Sequence, residues 1–375
     1  MVNNQGICLV IGGAGFIGSH TVDALIREGY SVRILDALQS RVHPEGKPSY
    51  LSEKVEFIRG DACAASDLLP ALQGVDRVYH FAAYQDYLPD FSTFIHVNAE
   101  STALLYELIV ANGLGIQKVV VASSQAVYGE GCYTCEDHGT VYPDIRSEEQ
   151  LIRGEWDPAC PSCGRKIAWQ ITDEKTVNPR NQYAVSKYAQ EMIALTLGKR
   201  YEIPTVALRY SIVQGPRQSF YNAYSGACRI FCLSAFFGQQ PVLYEDGKQL
   251  RDYVNIHDVV AANLMVMQEA AADYEVFNVG GGREYSVAAF AKIVADEYAT
   301  QVVPRVPGSY RFGDTRHIVS NIGKLQALGW TPTRTPRDSV RAYASWLAEQ
   351  ENVEDILEYV ETHMKKLNVV RQAKG

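Results

Sequence analysis

The sequence predicts an α/β fold: a doubly wound parallel sheet, a smaller C-terminal domain and a cysteine-bearing insertion. Three observations carry this. A glycine loop, Gly12-Gly-Ala-Gly15-Phe16-Ile17-Gly18, lies between an apolar run and a helical pattern. Short apolar runs then alternate with helical stretches as far as Arg209. Two Cys-x-x-Cys pairs interrupt that rhythm between Gly129 and Asn178.

The elements follow in order. Ile7–Ile11 is continuously apolar, as a strand buried on both faces requires, and Ser19–Glu28 reads as the first helix, closed by Gly29. Further strands are expected at Ser31–Leu35, Val55–Ile58, Val75–Phe81, Lys118–Ala122 and Thr205–Leu208, with a helix from Val97 to Ala111. Such alternation builds a parallel sheet whose ligands lie beyond the carboxyl ends of its strands. The expected division is a cofactor domain over residues 1–209, holding an insertion over 130–177, then a mainly substrate-binding domain over 210–350. Within the latter, 275–282 returns to the main sheet. The region after Arg209 is aromatic-rich, with Tyr221, Tyr224, Phe231, Phe236 and Phe237. Residues 351–375 read as a charged helix with a frayed end.

Composition sets limits. With 375 residues, 47% of them hydrophobic, there is ample material for a core. A formal charge of −8 argues against a nucleic-acid or membrane-surface partner. No apolar run approaches the roughly 20 residues of a membrane span, and the first residues lack a charged leader. A cytoplasmic location follows, with the eight cysteines reduced or bound to metal.

The glycine loop is the turn that lets a backbone approach a pyrophosphate and aims a helix N-terminus at its charge, so Gly12, Gly15, Phe16, Ile17 and Gly18 are assigned to a dinucleotide in a Rossmann arrangement. Asp36, ending the second strand, suits the adenosine ribose hydroxyls and repels a 2′-phosphate. NAD is therefore expected over NADP, although Arg33 and Arg41 are near in sequence. Asp61 is placed at the adenine. Tyr183 and Lys187 stand four apart on one helix face, where an ammonium is expected to lower the phenol from about 10. Ser124 ends the fifth strand and can bond a substrate oxygen, and Tyr183 would carry the proton.

Together with His80-Phe-Ala-Ala83, Asn98, Ser123-Ser124-Gln-Ala-Val-Tyr-Gly129 and Tyr183–Lys187, these motifs resemble the extended short-chain dehydrogenase/reductase family of NAD-dependent nucleotide-sugar epimerases and dehydratases. The likeness continues through Gln214-Gly-Pro-Arg217, Arg251-Asp-Tyr-Val254, Asn278-Val-Gly280 and Arg311-Phe-Gly-Asp314. It implies that Arg251 and Arg311, and more weakly Arg217, hold a substrate diphosphate, that Ala82 and Asn98 lie along the cofactor, and that a helix pair forms a homodimer. Dehydratases of the family carry Asp-Glu after the strand-five hydroxyl; here the positions are Gln125 and Ala126, which cannot titrate. A 4-epimerase working through a transient 4-keto sugar is the expected activity. The alternatives are a 4-ketoreductase, a UDP-glucuronate decarboxylase or a non-catalytic NAD-binding regulator.

Cys132-Tyr-Thr-Cys135 and Cys160-Pro-Ser-Cys163 are 24 residues apart. That spacing suits a closed, structural zinc site of four thiolates, which is also expected to lie over the mouth of the catalytic pocket. Redox-active dithiols or free cysteines are the alternatives; Asp137 and His138 lie nearby, and a histidine in place of one cysteine is a further option that the four thiolates do not need. The insertion resembles one in the subgroup of bacterial dTDP-L-rhamnose 4-epimerases, as does Asn222–Gly226, whereas Ala83–Asp90 departs from that subgroup.

Overall fold

The computed structural model describes residues 5–86, 88–219, 226–351 and 353–374. The expected Tyr221, Tyr224 and most of Asn222–Gly226 therefore lie outside the described residues.

The first half builds the sheet: β1 (Ile7–Ile11), α1 (Phe16–Arg27), β2 (Ser31–Asp36), β3 (Glu56–Arg59), α2 (Ala65–Leu72) and β4 (Arg77–His80). A short α3 (Phe91–Phe94) runs through a π-helical turn at Ile95–Glu100 into α4 (Ser101–Ala111), and β5 (Lys118–Ser124) follows. The insertion holds β6 (Tyr133–Cys135), β7 (Gly139–Val141), α5 (Glu148–Ile152) and β8 (Ala168–Trp169). The chain then continues with α6 (Gln182–Arg200), β9 (Thr205–Tyr210), β10 (Ile212–Gln214), α7 (Ala227–Phe236), β11 (Leu250–Asn255) and α8 (Ile256–Gln268). Last come β12 (Glu275–Val279), β13 (Glu284–Ser286), α9 (Val287–Glu297), β14 (Ser309–Arg311), α10 (Gly323–Gln326), α11 (Pro336–Ala348), α12 (Leu357–Lys366) and β15 (Val370–Gln372).

Seven parallel strands form the main sheet in the order β12-β9-β5-β4-β1-β2-β3. The order reverses at β1, and Glu275–Val279 joins the far edge beside β9. Alternation explains the unbroken apolar runs. Cys8, Val10, Val120, Ala122, Val206 and Leu208 face the core under α1 and α8. Leu9, Ile11, Val119, Val121 and Ala207 face the opposite core, with Leu105, Ile109 and Ala194 of α4 and α6.

Three features position α6, which carries Tyr183 and Lys187. Asn181 caps it, its Oδ1 accepting from the Ala184 amide at 2.8 Å, and so fixes where the first turn starts. Glu191 bonds Arg209 of β9 at 2.5 and 2.9 Å and accepts from Ser123 of β5 at 2.9 Å, all three groups being buried. A fully bonded buried pair of this kind holds the helix at one register on the sheet. Asn98, in the π-helical turn, donates to Ser186 Oγ at 2.8 Å.

The C-terminus departs from expectation. Only Leu357–Lys366 is helical; Val370–Gln372 then pairs antiparallel with Ser309–Arg311. The segment is short of helix-forming length after Lys366, and Val369-Val370 favours a strand.

Candidate active site

One cavity of about 790 Å³ runs from the glycine loop past Ser124 and Tyr183 to Arg251 and Arg311. Gly12, Gly15, Phe16, Ile17, Gly18, Asp36, Asp61 and Ala82 all line it. A Cβ on Gly12, whose φ is +80°, would stand 2.5 Å from the Ala82 amide nitrogen, and one on Gly18 only 2.2 Å from the Gly12 carbonyl oxygen. The loop can therefore lie flat against the strand ends only with glycine at both positions. This leaves a cradle that fits a pyrophosphate, and the α1 N-terminus faces it. Asp36 accepts from the Ala14 and Leu38 amides, both at 2.9 Å, which fixes its carboxylate beside the glycine loop at the end of β2. Arg41 is paired with Asp86 and lies over the Tyr84 ring at 4.9 Å. Arg33 bonds Glu56 and the carbonyls of Ala71 and Gln73. Both arginines are thus engaged by the protein, and a site with an acid at the end of β2 fits NAD.

Ser124, Tyr183 and Lys187 meet in this cavity, and the side chains of Ser124 and Tyr183 are hydrogen-bonded. The expected acidification of Tyr183 by Lys187 is not found in the free protein. Burial pushes the phenol up to about 12, opposed by the Ser124 bond. Burial also brings Lys187 down to about 7, and its Nζ donates to Gln190 Oε1 at 2.5 Å. Gln190 in turn donates to Thr102 at 3.1 Å. Sequence reasoning missed Gln190, although it stands three residues beyond Lys187 on the same helix face, a spacing that could have flagged it.

Two expected ligands lie elsewhere. Asn98 is fully buried and does not line the cavity; its amide bonds the Tyr84 backbone at 2.7 and 3.0 Å as well as Ser186. It ties the loop after β4 to the catalytic helix and does not contact the cofactor cradle. Arg217 pairs with Asp23 of α1 at 2.7 Å and stacks over Tyr50 at 4.7 Å, away from the cavity lining. Its φ of +66° turns it toward α1. Arg251 and Arg311 do line the cavity. Arg251 is oriented by donating to the carbonyls of Leu250, Thr315 and Arg316 at 2.7–3.0 Å, and Arg311 lies over Tyr244 at 4.5 Å.

A buried charge network beside these arginines also escaped the sequence. Arg146 of the insertion meets Glu130 at 3.2 Å and Glu245 at 2.9 Å, and Arg316 meets Glu245, Asp246 and Asp157 at 2.7–2.9 Å. These residues are far apart in the chain and show no periodicity. The insertion is thereby fastened to the segment that orients Arg251.

The cysteines require a correction. Sγ of Cys135, Cys160 and Cys163 and a ring nitrogen of His138 lie within 4.8 Å of one another; Cys132 is not among them. Cys132 stands just before β6, and along an extended chain residues three apart, such as Cys132 and Cys135, point to opposite faces. The tight turn to Gly139 brings His138 back instead. A tetrahedral Zn²⁺, with bonds of about 2.3 Å to sulfur and about 2.0 Å to nitrogen, spaces sulfur from sulfur by about 3.8 Å and sulfur from nitrogen by about 3.5 Å. The observed separations are 3.8 Å for Cys135–Cys163, 3.5 Å for Cys135–His138 and 3.7 Å for Cys160–His138. The donor set fits the ion. None of the four lines the cavity, so the expected position over its mouth is also corrected; of the insertion, Glu130 and Ile145 reach the lining.

Among the described residues no helix is long and apolar enough to cross a membrane. Comparison with known proteins agrees with the geometry. The model of the NAD dependent epimerase/dehydratase family matches residues 8–148 and 163–280. The chain is 31% identical to dTDP-L-rhamnose 4-epimerase of Burkholderia thailandensis over 349 residues, covering 91% of this chain and 95% of that protein. Its fold matches UDP-glucose 4-epimerase of Thermotoga maritima, solved with UDP-glucose, at a TM-score of 0.75 and 26% identity, over 92% of this chain and 99% of that one. It also matches UDP-glucose 4-epimerase of Thermus thermophilus in complex with NAD, at a TM-score of 0.71 and 27% identity, over 92% and 100%. The family model and the 31% relative, each spanning most of the chain, show that the chain belongs to the NAD-dependent epimerase/dehydratase family.

Proposed function

We propose that the protein is a nucleotide-sugar 4-epimerase. The observation that carries this is the meeting of the glycine cradle, Ser124, Tyr183, Lys187 and two arginines on one cavity. NAD, when bound, supplies a reversible hydride acceptor. Ser124 bonds the sugar C4 oxygen, and Tyr183 takes the hydroxyl proton as C4 is oxidised and returns it on reduction. In the free protein burial keeps Tyr183 neutral. The phenol thus becomes a base only when positive charge gathers beside it, for which Lys187 is the lysine in place. Arg251 and Arg311 hold the diphosphate, leaving the sugar free to turn between the two hydride transfers. Gln125 and Ala126 offer no acid or base for removing water.

The test is a panel of UDP-glucose, UDP-glucuronate and dTDP-L-rhamnose assayed without added reductant. Inversion at C4 with no net NADH change is expected, and Tyr183→Phe should abolish it while NAD stays bound. Stoichiometric NADH consumption, or release of CO₂, would replace this reading with a reductase or a decarboxylase.

The proposal has further parts. The Cys135-His138-Cys160-Cys163 set binds a structural Zn²⁺, supported by its tetrahedral spacings. A homodimer forms through α3, the π-helical turn and α6, supported by exposed Phe91, Ile95, Val185 and Met192 on these neighbouring elements; sedimentation would show it. None of the eight cysteines is joined in a disulfide, which supports a reducing, cytoplasmic setting. Residues 1–209 act as the cofactor half and 210–350 mainly as the substrate half.

A further inference from the structure

A short chain of hydrogen bonds runs from Lys187 into the protein. Lys187 Nζ donates to Gln190 Oε1 at 2.5 Å, Gln190 Nε2 to Thr102 Oγ1 at 3.1 Å, and Thr102 Oγ1 to the Asn98 carbonyl at 3.0 Å. All three side chains are at most 1% exposed. Lys187 lines the cavity, whereas Gln190 and Thr102 are set back from it.

The directions of these bonds agree with one another. Thr102 has a single hydroxyl proton and gives it to the Asn98 carbonyl, so its oxygen accepts from Gln190. Gln190 therefore turns Nε2 toward Thr102 and Oε1 toward Lys187. The flipped amide would set acceptor against acceptor at Thr102 and donor against donor at Lys187. Asn98 is fixed in turn, its own amide bonding the Tyr84 backbone and Ser186.

The neutrality of this acceptor is its chemical point. Burial opposes the charge on Lys187, and no carboxylate among the described residues offsets it. A carboxylate in the place of Gln190 would keep the proton on Lys187 but cancel its field at Tyr183. An amide oxygen stabilises the ammonium by a charge-assisted bond and leaves the whole positive charge in the cavity. We propose that Gln190, oriented by Thr102, is a positioning residue for Lys187, holding its ammonium with a neutral acceptor so that the charge stays available to Tyr183. This rests on the acid–base reading above.

The other titratable groups around α6 are otherwise engaged. His80 of β4 is kept neutral, brought down to about 3 by burial and then by the Lys187 charge. Glu191 is spent on Arg209 of β9 and Ser123 of β5. Tyr128 donates to Asn278, Tyr210 of β9 to Asn263, and Tyr106 of α4 bonds Thr205. Lys118 of β5 pairs with Asp273, and His96 pairs with Glu100 on the exposed side of the π-helical turn. Glu107 of α4 is exposed.

The test follows the Lys187 signal by NMR across pH in the cofactor-free full chain carrying isotope-labelled lysine, the signal being assigned by its loss in Lys187→Met. Gln190→Leu should lower the midpoint by about one unit or more. Thr102→Val should lower it by less, and carries the same comparison if Gln190→Leu is recovered unfolded. Gln190→Glu should raise it. In turnover of the NAD-loaded enzyme, the acidic limb of the kcat profile should move to higher pH in both Gln190 variants, because one loses the ammonium and the other cancels its charge. A merely structural role would not move the two readouts in this crossed way. An unchanged Lys187 midpoint in Gln190→Leu and Thr102→Val, or acidic limbs that stay in place while the midpoint moves, would overturn this inference alone. Full activity in Tyr183→Phe would overturn the acid–base reading, and this inference with it.

Discussion

Replacing His138 and Cys132 separately decides what the insertion binds. Cys135, His138, Cys160 and Cys163 lie at tetrahedral spacings, whereas Cys132, just before β6, is not in the group, its amide bonded to Thr172 at 3.0 Å. Structural zinc in small domains is bound by about 10–16 kcal/mol, or about 2.5–4 kcal/mol for each of four ligands. Loss of one ligand therefore weakens the site on the order of 10²- to 10³-fold. His138→Ala and Cys160→Ser should lose zinc to a chromophoric chelator that wild type resists, and Cys132→Ser should keep one equivalent by elemental analysis. NAD content should be the same in all three, because no member of the cluster lines the cavity. Retention by His138→Ala together with loss from Cys132→Ser would refute the geometry. Wild-type protein purified without metal would refute the site itself.

Other outcomes follow from the same structure. Gly18→Ala places a methyl 2.2 Å from the Gly12 carbonyl, so the purified protein should carry little NAD, as the absorbance ratio and cofactor extraction would show. Glu191→Ala leaves Arg209 buried without its carboxylate and should cost about 3–5 kcal/mol in denaturant unfolding. Burial holds the Lys187 pKa in the folded cofactor-free protein near 7, well below its unfolded value. That protein should therefore gain stability as pH rises from about 7 toward the ordinary lysine value near 10.4, and lose it again as pH falls back to about 7, below which both states hold the proton. Subtracting the melting profile of Lys187→Met isolates this contribution, on the order of a few kcal/mol; identical profiles would disprove it.

Local pattern made the cofactor half readable. The glycine loop, the apolar strands and Asp36 depend on neighbours within a few residues, and the structure places them close to the expected bounds. Ser124, Tyr183 and Lys187 were legible because strand end and helix spacing fix their directions. Arg217 and Asn98 were misplaced for the opposite reason: a motif gives a residue type, but its partner is set by packing. Asp23 and Tyr50 claim the first, Tyr84 and Ser186 the second. The Cys-x-x-Cys spacing misled because it assumes a turn between the cysteines, and β6 is extended there. The network of Arg146, Glu130, Glu245 and Arg316 joins segments up to 186 residues apart and leaves no local trace.

The pairing of β15 with β14 has a practical consequence. Val370–Gln372 pairs with the strand that ends in Arg311, while β1 starts at the amino ends of the main-sheet strands, away from the glycine loop. Any handle fused after Gln372 would continue from the strand that pairs with the Arg311 strand, so kinetic work should begin with tags placed at the other end of the chain.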